Sequence, residues 1–165
     1  MSARTRSALP ARRGFTLIEM IVTLTVLAIL TTVAMPIAKT VIQRDKELEL
    51  RQALREIREA LDAYKKLADE KKIEVEEDSE GYPPDLETLV KGVEVQEGKK
   101  GGKASKKTIR FLRRIPKDPM TGTVEWGLRS YQDDPDSDVW GEENVYDIHT
   151  KSGAKALDGS RYRDW

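Results

Sequence analysis

The sequence predicts an α+β fold in which a long amino-terminal helix packs on a small antiparallel sheet. Three observations support this fold class. A helical pattern runs from Phe15 to Lys72 without a glycine, a short second helix is signalled near Asp85, and three short β candidates follow. A helix followed by local strands is typical of α+β domains, in which the sheet covers the apolar face of the helix.

Composition limits the size of the core and the kinds of chemistry. The 165 residues suggest one domain with an anchor or a tail, and only 38% are apolar while 35% are charged. The 29 basic and 29 acidic residues cancel, so any attraction to nucleic acid or to an acidic membrane must be local. The absence of cysteine excludes disulfides, thiolate zinc sites and cysteine catalysis.

The segment 15–38 is predicted to be a transmembrane helix. Glu19 is its only charged residue, and about 20 apolar residues span a bilayer core as a helix. A removed signal peptide and a buried core helix are the alternatives, but no small-x-small cleavage site closes the run. Arginines and lysines flank the segment equally, so charge alone leaves its orientation open.

The segment 39–72 is predicted to continue this helix with one apolar stripe. Pro36 is the only helix breaker, and it removes one backbone donor and bends or loosens the helix locally. The stripe recurs at spacings of three and four and consists of Leu50, Leu54, Ile57, Leu61, Tyr64 and Ala68.

The segment 73–165 is predicted to be the globular α+β region. Asp85 is a plausible N-cap for a short helix through Lys91 that Gly92 ends, and Gly98 to Lys107 form a Lys/Gly-rich loop. The predicted strands are Thr108 to Ile115, Val124 to Tyr131, with Val124, Trp126 and Leu128 on one face, and Asn144 to Ile148.

Three local patterns are better explained structurally than chemically. A basic cluster lacks aromatic residues among its lysines, so a solvated loop is favoured over a DNA site. Asp134, Asp136 and Asp138 alternate as in a calcium loop but lack its glycine and closing glutamate, so Asx turns are favoured. The single histidine, His149, is expected at a strand end. The basic cluster named first consists of Lys99, Lys100, Lys103, Lys106, Lys107, Arg110, Arg113, Arg114 and Lys117.

The stretch Arg12-Arg13-Gly14-Phe15-Thr16-Leu17-Ile18-Glu19 resembles the processing signal of type IV prepilins and of the pseudopilins of type II secretion. The resemblance implies that a prepilin peptidase cuts between Gly14 and Phe15 on the cytoplasmic face and methylates Phe15. It makes 1–14 a cleaved basic leader and places the carboxyl side in the periplasm. It further implies assembly roles for Glu19 and Pro36.

Two later segments resemble those of major pseudopilins. Tyr82-Pro83-Pro84-Asp85-Leu86-Glu87-Thr88-Leu89 is similar to their Y-P-x-x-L-x-x-L turn and helix, and Ile115 to Gly122 is similar to their P-x-D-P segment. The closing segment from Tyr146 to Trp165 is similar to the loop in which many of these proteins bind calcium. Only Asp158 and Asp164 follow Asp147 here, so no cofactor is expected, and Asp158 is the weak candidate for a metal ligand.

The resemblance therefore implies a structural subunit of a periplasmic pseudopilus rather than an enzyme. The subunit would be a single-pass inner-membrane protein with its carboxyl-terminal domain in the periplasm. Its partners would be the prepilin peptidase, copies of itself, minor pseudopilins and the inner-membrane secretion platform, with no small-molecule substrate and no nucleic acid. The alternatives are a type IV pilin, a DNA-uptake pseudopilin, and a membrane-anchored sensor or binding module whose amino terminus stays uncut.

Overall fold

The computed structural model describes residues 14–76, 79–97, 105–134, 137 and 139–165. Two helices, α1 (Leu17–Asp69) and α2 (Leu86–Lys91), are followed by four short strands, and a 3₁₀ turn lies at Tyr162–Asp164. The strands are β1 (Val93–Glu97), β2 (Ser105–Ile109), β3 (Gly127–Arg129) and β4 (Asp147–His149). The α+β fold class is confirmed, and the antiparallel component consists of two separate pairs, β1–β2 and β3–β4.

The chain divides into two units, one ending at Val41 and one comprising Ile42–Trp165. Helix α1 contributes to both. The core belongs to the second unit, where every residue of the predicted apolar stripe of α1 is buried. Its partners come from α2, β1, β4 and the irregular segments between them, including Leu86, Leu89, Val95, Leu112, Trp126, Val145, Ile148 and Tyr162.

Helix α1 ends at Asp69, three residues before the predicted end, because a Schellman motif closes it. Lys71 has φ 54°, its N–H donates to Ala68 O at 2.9 Å, and the Lys72 N–H donates to Leu67 O at 3.0 Å. Lys71 occupies the left-handed position that glycine usually takes, which explains why the sequence pattern suggested a longer helix.

The predicted bounds of the first β candidate are wrong. Its only residues in β2 are Thr108 and Ile109, and β2 begins at Ser105, inside the predicted Lys/Gly-rich loop. The chain leaves the ladder after Ile109, where the backbone N–H groups of Phe111 and Leu112 donate to Leu89 O at the end of α2. Strand β1 was not predicted, and it pairs with β2 from Val93 opposite Ile109 to Glu97 opposite Ser105.

The other two β candidates are shorter than predicted. Val124 is 55% exposed while Trp126 is 4% exposed, so the predicted common face of these two residues is wrong. Val145 lies outside β4 because its N–H donates to Pro83 O at 2.8 Å rather than to a strand.

Asp118 holds the P-x-D-P segment to the end of β4. Its carboxylate is fully buried and accepts hydrogen bonds from the Met120 N–H at 2.8 Å, from the Thr121 hydroxyl at 3.1 Å and from the buried Thr150 hydroxyl. These bonds satisfy a buried carboxylate that would otherwise be costly. The P-x-D-P segment, which resembles that of major pseudopilins, therefore has a structural role because its aspartate joins two loops by hydrogen bonds.

Candidate processing and assembly site

Thr16 caps α1 immediately after the predicted cleavage point. Its hydroxyl accepts a hydrogen bond from the Glu19 N–H at 3.2 Å, and its carbonyl accepts one from the Met20 N–H at 3.2 Å. This is the acceptor half of the Thr-x-x-Glu capping box, a signal that the sequence analysis did not use. Because the helix begins at Leu17, Gly14 and Phe15 lie outside it, on backbone that a peptidase can bind in an extended form.

Gly14 has no role in the fold of the described residues. A Cβ atom built on Gly14 meets no heavy atom within 4 Å, and its φ lies outside the positive range that favours glycine. Phe15 beside it is 73% exposed. Nothing in the described part of the chain would therefore clash with a side chain at position 14, so a requirement for glycine there points to a binding partner.

Glu19 lies in the first turn of α1 and is exposed. A carboxylate at this end of a helix is favoured by the positive end of the helix dipole. Within the described part of the chain, its carboxylate has no hydrogen-bond or ion-pair partner. Its charge is thus available to a group on another molecule.

Pro36 lies inside α1, and the helix is assigned without a break from Leu17 to Asp69. The missing N–H of Pro36 leaves the carbonyl four residues earlier, that of Thr32, without its helical donor. The carbonyl of Pro36 itself accepts from the Thr40 hydroxyl at 3.1 Å. The backbone hydrogen bonding of α1 is therefore weakened at Pro36, within the apolar half of the helix.

None of the residues that the structure describes covers the apolar half of α1. Its most hydrophobic 18-residue window is 0% buried, and α1 is the one helix among the described residues that is long and apolar enough to cross a membrane. Phe15 before the helix is exposed, and the exposed large side chains of α1 in this half are Leu17, Ile18, Met20, Ile21, Val22, Leu24, Val26, Leu27, Ile29, Leu30, Ile37 and Val41. Exposed apolar surface of this extent marks an interaction with a membrane or with other proteins.

The other candidate residues are scattered. In the basic cluster, Lys99, Lys100 and Lys103 lie outside the described residues, as do Asp136 and Asp138 of the aspartate triplet. His149 ends β4, as predicted. Among the described residues, no group of three or more histidine, cysteine, aspartate or glutamate side chains is arranged to hold a metal ion.

Asp158 serves as a turn-forming residue in the closing segment. One carboxylate oxygen accepts from the Ser160 N–H at 2.9 Å and from the Ser160 hydroxyl at 2.6 Å. These hydrogen bonds hold the pKa of the Asp158 carboxyl below its usual value. Asp158 and Ser160 thus form a local turn in the closing segment.

Two residues of α1 that the sequence analysis did not single out hold the closing segment. The Gln43 side-chain amide donates to the Tyr162 hydroxyl at 2.8 Å and to Lys155 O at 3.2 Å. Glu47 Oε1 accepts from the Tyr162 hydroxyl and from the Leu157 N–H, both at 2.8 Å. Their spacing of four residues puts both on one face of the helix, but the sequence carries no sign of their distant partners.

Comparison with known proteins gives one finding. Residues 9–35 match the model of the prokaryotic N-terminal methylation motif, and this range contains Gly14, Phe15 and Glu19. Neither the comparison with curated proteins nor the comparison with solved structures gave a significant match. The motif and the exposed apolar helix are consistent with membrane anchoring, and they support a pilin-like protein that a prepilin peptidase processes.

Proposed function

We propose that this protein is a structural subunit of a periplasmic pseudopilus in type II protein secretion. In this proposal it acts by assembly, is not an enzyme and needs no cofactor. The observation that carries the proposal is the methylation motif at the start of a helix whose large apolar side chains, among those that the structure describes, are exposed between Leu17 and Val41. The resemblance of Tyr82 to Leu89 and of Ile115 to Gly122 to segments of major pseudopilins favours secretion over a surface pilus.

Glu19 supplies the assembly step. Cleavage before Phe15 leaves a new amine four residues from Glu19, and the amine of an incoming subunit would pair with Glu19 of its neighbour. In surroundings nearly free of water, this attraction is much less screened than at a surface. An unpaired carboxylate there would cost about 3 kcal/mol, as for an acidic residue at a membrane centre.

The first test separates processing from assembly in the full-length chain. Gly14→Val should leave the uncut precursor because the peptidase has no room for the side chain, whereas Glu19→Ala should be cut and methylated but form few filaments. Glu87→Ala, which removes an exposed carboxylate from α2, is the matched control and should behave as wild type. Intact mass reports cleavage and methylation, and sheared-filament yield reports assembly.

Normal filament yield from Glu19→Ala would contradict the role of the carboxylate, and cleavage of Gly14→Val would contradict the processing role of Gly14. Deleting the gene in a host that carries a type II system should block release of its secreted proteins. Loss of surface pili or DNA uptake with normal secretion would instead identify a type IV pilin or an uptake pseudopilin.

A further inference from the structure

Three tyrosines from three separate loops form an exposed cluster, which we call the tyrosine cluster. Tyr82 and Tyr131 are nearly parallel, with ring centroids 6.2 Å apart, and Tyr146 stands edge-on to both at 5.2 and 5.3 Å. Tyr131 is 56% exposed and Tyr146 is 44% exposed. Large aromatic rings exposed together are enriched at protein interfaces.

The tyrosine cluster offers a site for a positively charged partner. Each tyrosine adjoins an acidic loop, because Tyr82 follows Glu80, Tyr131 precedes Asp133 and Asp134, and Tyr146 follows Glu142 and Glu143. The faces of aromatic rings also attract cations. The chain itself shows this contact, since Lys65 Nζ lies 5.4 Å from the Tyr82 centroid while the other two rings remain exposed.

The same chain carries a complementary surface, which we call the basic strip. It begins in β2 and continues along the segment after it, and its exposed cations are Lys107, Arg110, Arg113, Arg114 and Lys117. Within the described part of the chain, Arg113, Arg114 and Lys117 have no ion-pair partner. Unpaired cations grouped on one segment favour an acidic partner.

The two surfaces lie on opposite sides of α1 in the unit Ile42–Trp165. Arg114 and Lys117 line a groove of about 570 Å³ that also includes Glu56 of α1. Lys65, which contacts the tyrosine cluster, follows Glu56 by nine residues. At about 3.6 residues per turn this is two and a half turns, so the residues face opposite ways.

We propose that the tyrosine cluster of one copy binds the basic strip of the next copy. Because the two surfaces differ and lie on opposite sides, the contact is heterologous and can repeat along an open filament. This inference rests on the proposed function and adds a lateral contact between globular regions to the contact made through Glu19. A second copy is the favoured occupant because the chain carries both the acidic loops beside the tyrosine cluster and the cations of the basic strip. These two surfaces lie on opposite faces and cannot meet within one molecule.

The test uses cysteine cross-linking in filaments of the full-length chain, which has no native cysteine. Tyr131→Cys combined with Arg113→Cys should give a ladder of cross-linked multimers on oxidation. Tyr131→Cys combined with Lys151→Cys is the matched control, because Lys151 is an exposed lysine outside the basic strip. It should give no ladder.

Charge reversal adds a quantitative measurement. Arg114→Glu should lower filament yield about fivefold, the upper end for one exposed ion pair, and should make the remaining assembly less sensitive to salt. Adding Glu143→Arg to that variant should restore the yield in part. Tyr131→Ala should weaken assembly without changing cleavage or methylation.

The outcomes separate this inference from the proposed function. Filaments of the variant with Tyr131→Cys and Arg113→Cys that give no cross-linked ladder, or a normal filament yield from Arg114→Glu, would overturn the lateral contact alone. Failure of the wild-type chain to assemble under any condition would overturn both. Retention of double-stranded DNA by the basic strip, with no ladder, would identify nucleic acid as its partner and also overturn the inference.

Discussion

His149 and Gly127 show how one residue pair shapes a short sheet. They face each other in the β3–β4 pair, and a Cβ atom on Gly127 would lie 2.3 Å from His149 Nε2. The imidazole therefore occupies the space that any other residue at position 127 would need. Among the described residues, the buried His149 Nδ1 has no hydrogen-bond partner, so protonation would add an unsatisfied charge.

Stability should fall as pH falls below the ordinary histidine pKa. Burial is the main cause that lowers the pKa of His149, the positive charges of Arg129 and Lys151 act in the same direction, and Asp147 opposes them. The folded state thus holds the neutral ring, while the unfolded chain takes up a proton near its unperturbed pKa of about 6.5. The contribution of the neutral His149 ring to stability is fully present above that pH and declines below it.

Thermal unfolding of the full chain in detergent between about pH 5 and 8 would measure this dependence. His149→Gln, which does not titrate, should show a flatter profile over this range. An unchanged profile in that variant would show that His149 does not contribute to the pH dependence.

At the scale of the element, α2 is defined almost entirely by local signals. Asp85 Oδ1 accepts from the Thr88 N–H at 2.6 Å, and the Gly92 N–H donates to Thr88 O at 2.9 Å. Both residues were predicted as caps, and the predicted helix bounds are confirmed. The strand after Gly92 was not predicted, because β1 depends on its pairing with β2, a segment further along the chain.

Gly92 should tolerate no side chain. Its φ is 84° and its ψ is 167°, a region that is essentially restricted to glycine, and an added Cβ would lie 2.4 Å from Ile109 O. Gly92→Ala should therefore lower the free energy of unfolding by roughly 2 kcal/mol or more.

Denaturant unfolding of the two alanine variants would check the Gly92 prediction. Gly153→Ala is the control, because its added Cβ meets no heavy atom within 4 Å and its φ is not positive. Equal stabilities of the two variants would contradict the close approach of α2 to the end of β2.

For the whole molecule, the closing segment is attached to α1 by side chains. Gln43 and Glu47 hold Tyr162, which is 2% exposed, and the ring of Trp165 packs edge-on against Tyr162 at 5.2 Å. Arg58 adds a salt bridge to Asp147 at 2.7 Å. These contacts join segments that are far apart in the chain, and they stabilise the closing segment.

Calcium should therefore add little stability to this protein. The ion takes about 6 to 8 oxygen ligands, and among the described residues Asp158 has no cluster of acidic side chains around it. Adding calcium or a chelator should leave the melting temperature nearly unchanged, whereas Tyr162→Phe should lower it by removing the hydroxyl that Gln43 and Glu47 share. A calcium-dependent rise of several degrees, absent in Asp158→Asn, would show a site in the closing segment.

The sequence alone determined the features that depend on residues close together along the chain. The stripe from Leu50 to Ala68, the caps of α2 and the motif around Gly14 all follow from spacings of a few residues, because helical turns and peptidase signals are local. Glu19 was identified in the same way, as the single charge in an apolar run.

Only the tertiary structure decided the contacts between distant segments. The pairing of β1 with β2 and the meeting of Tyr82, Tyr131 and Tyr146 have no local signature. The attachment of Tyr162 to α1 is equally hidden in the sequence. Whether a segment forms a strand, and which rings meet at the surface, depends on the segments that pack beside it. These neighbours are set by the path of the whole chain.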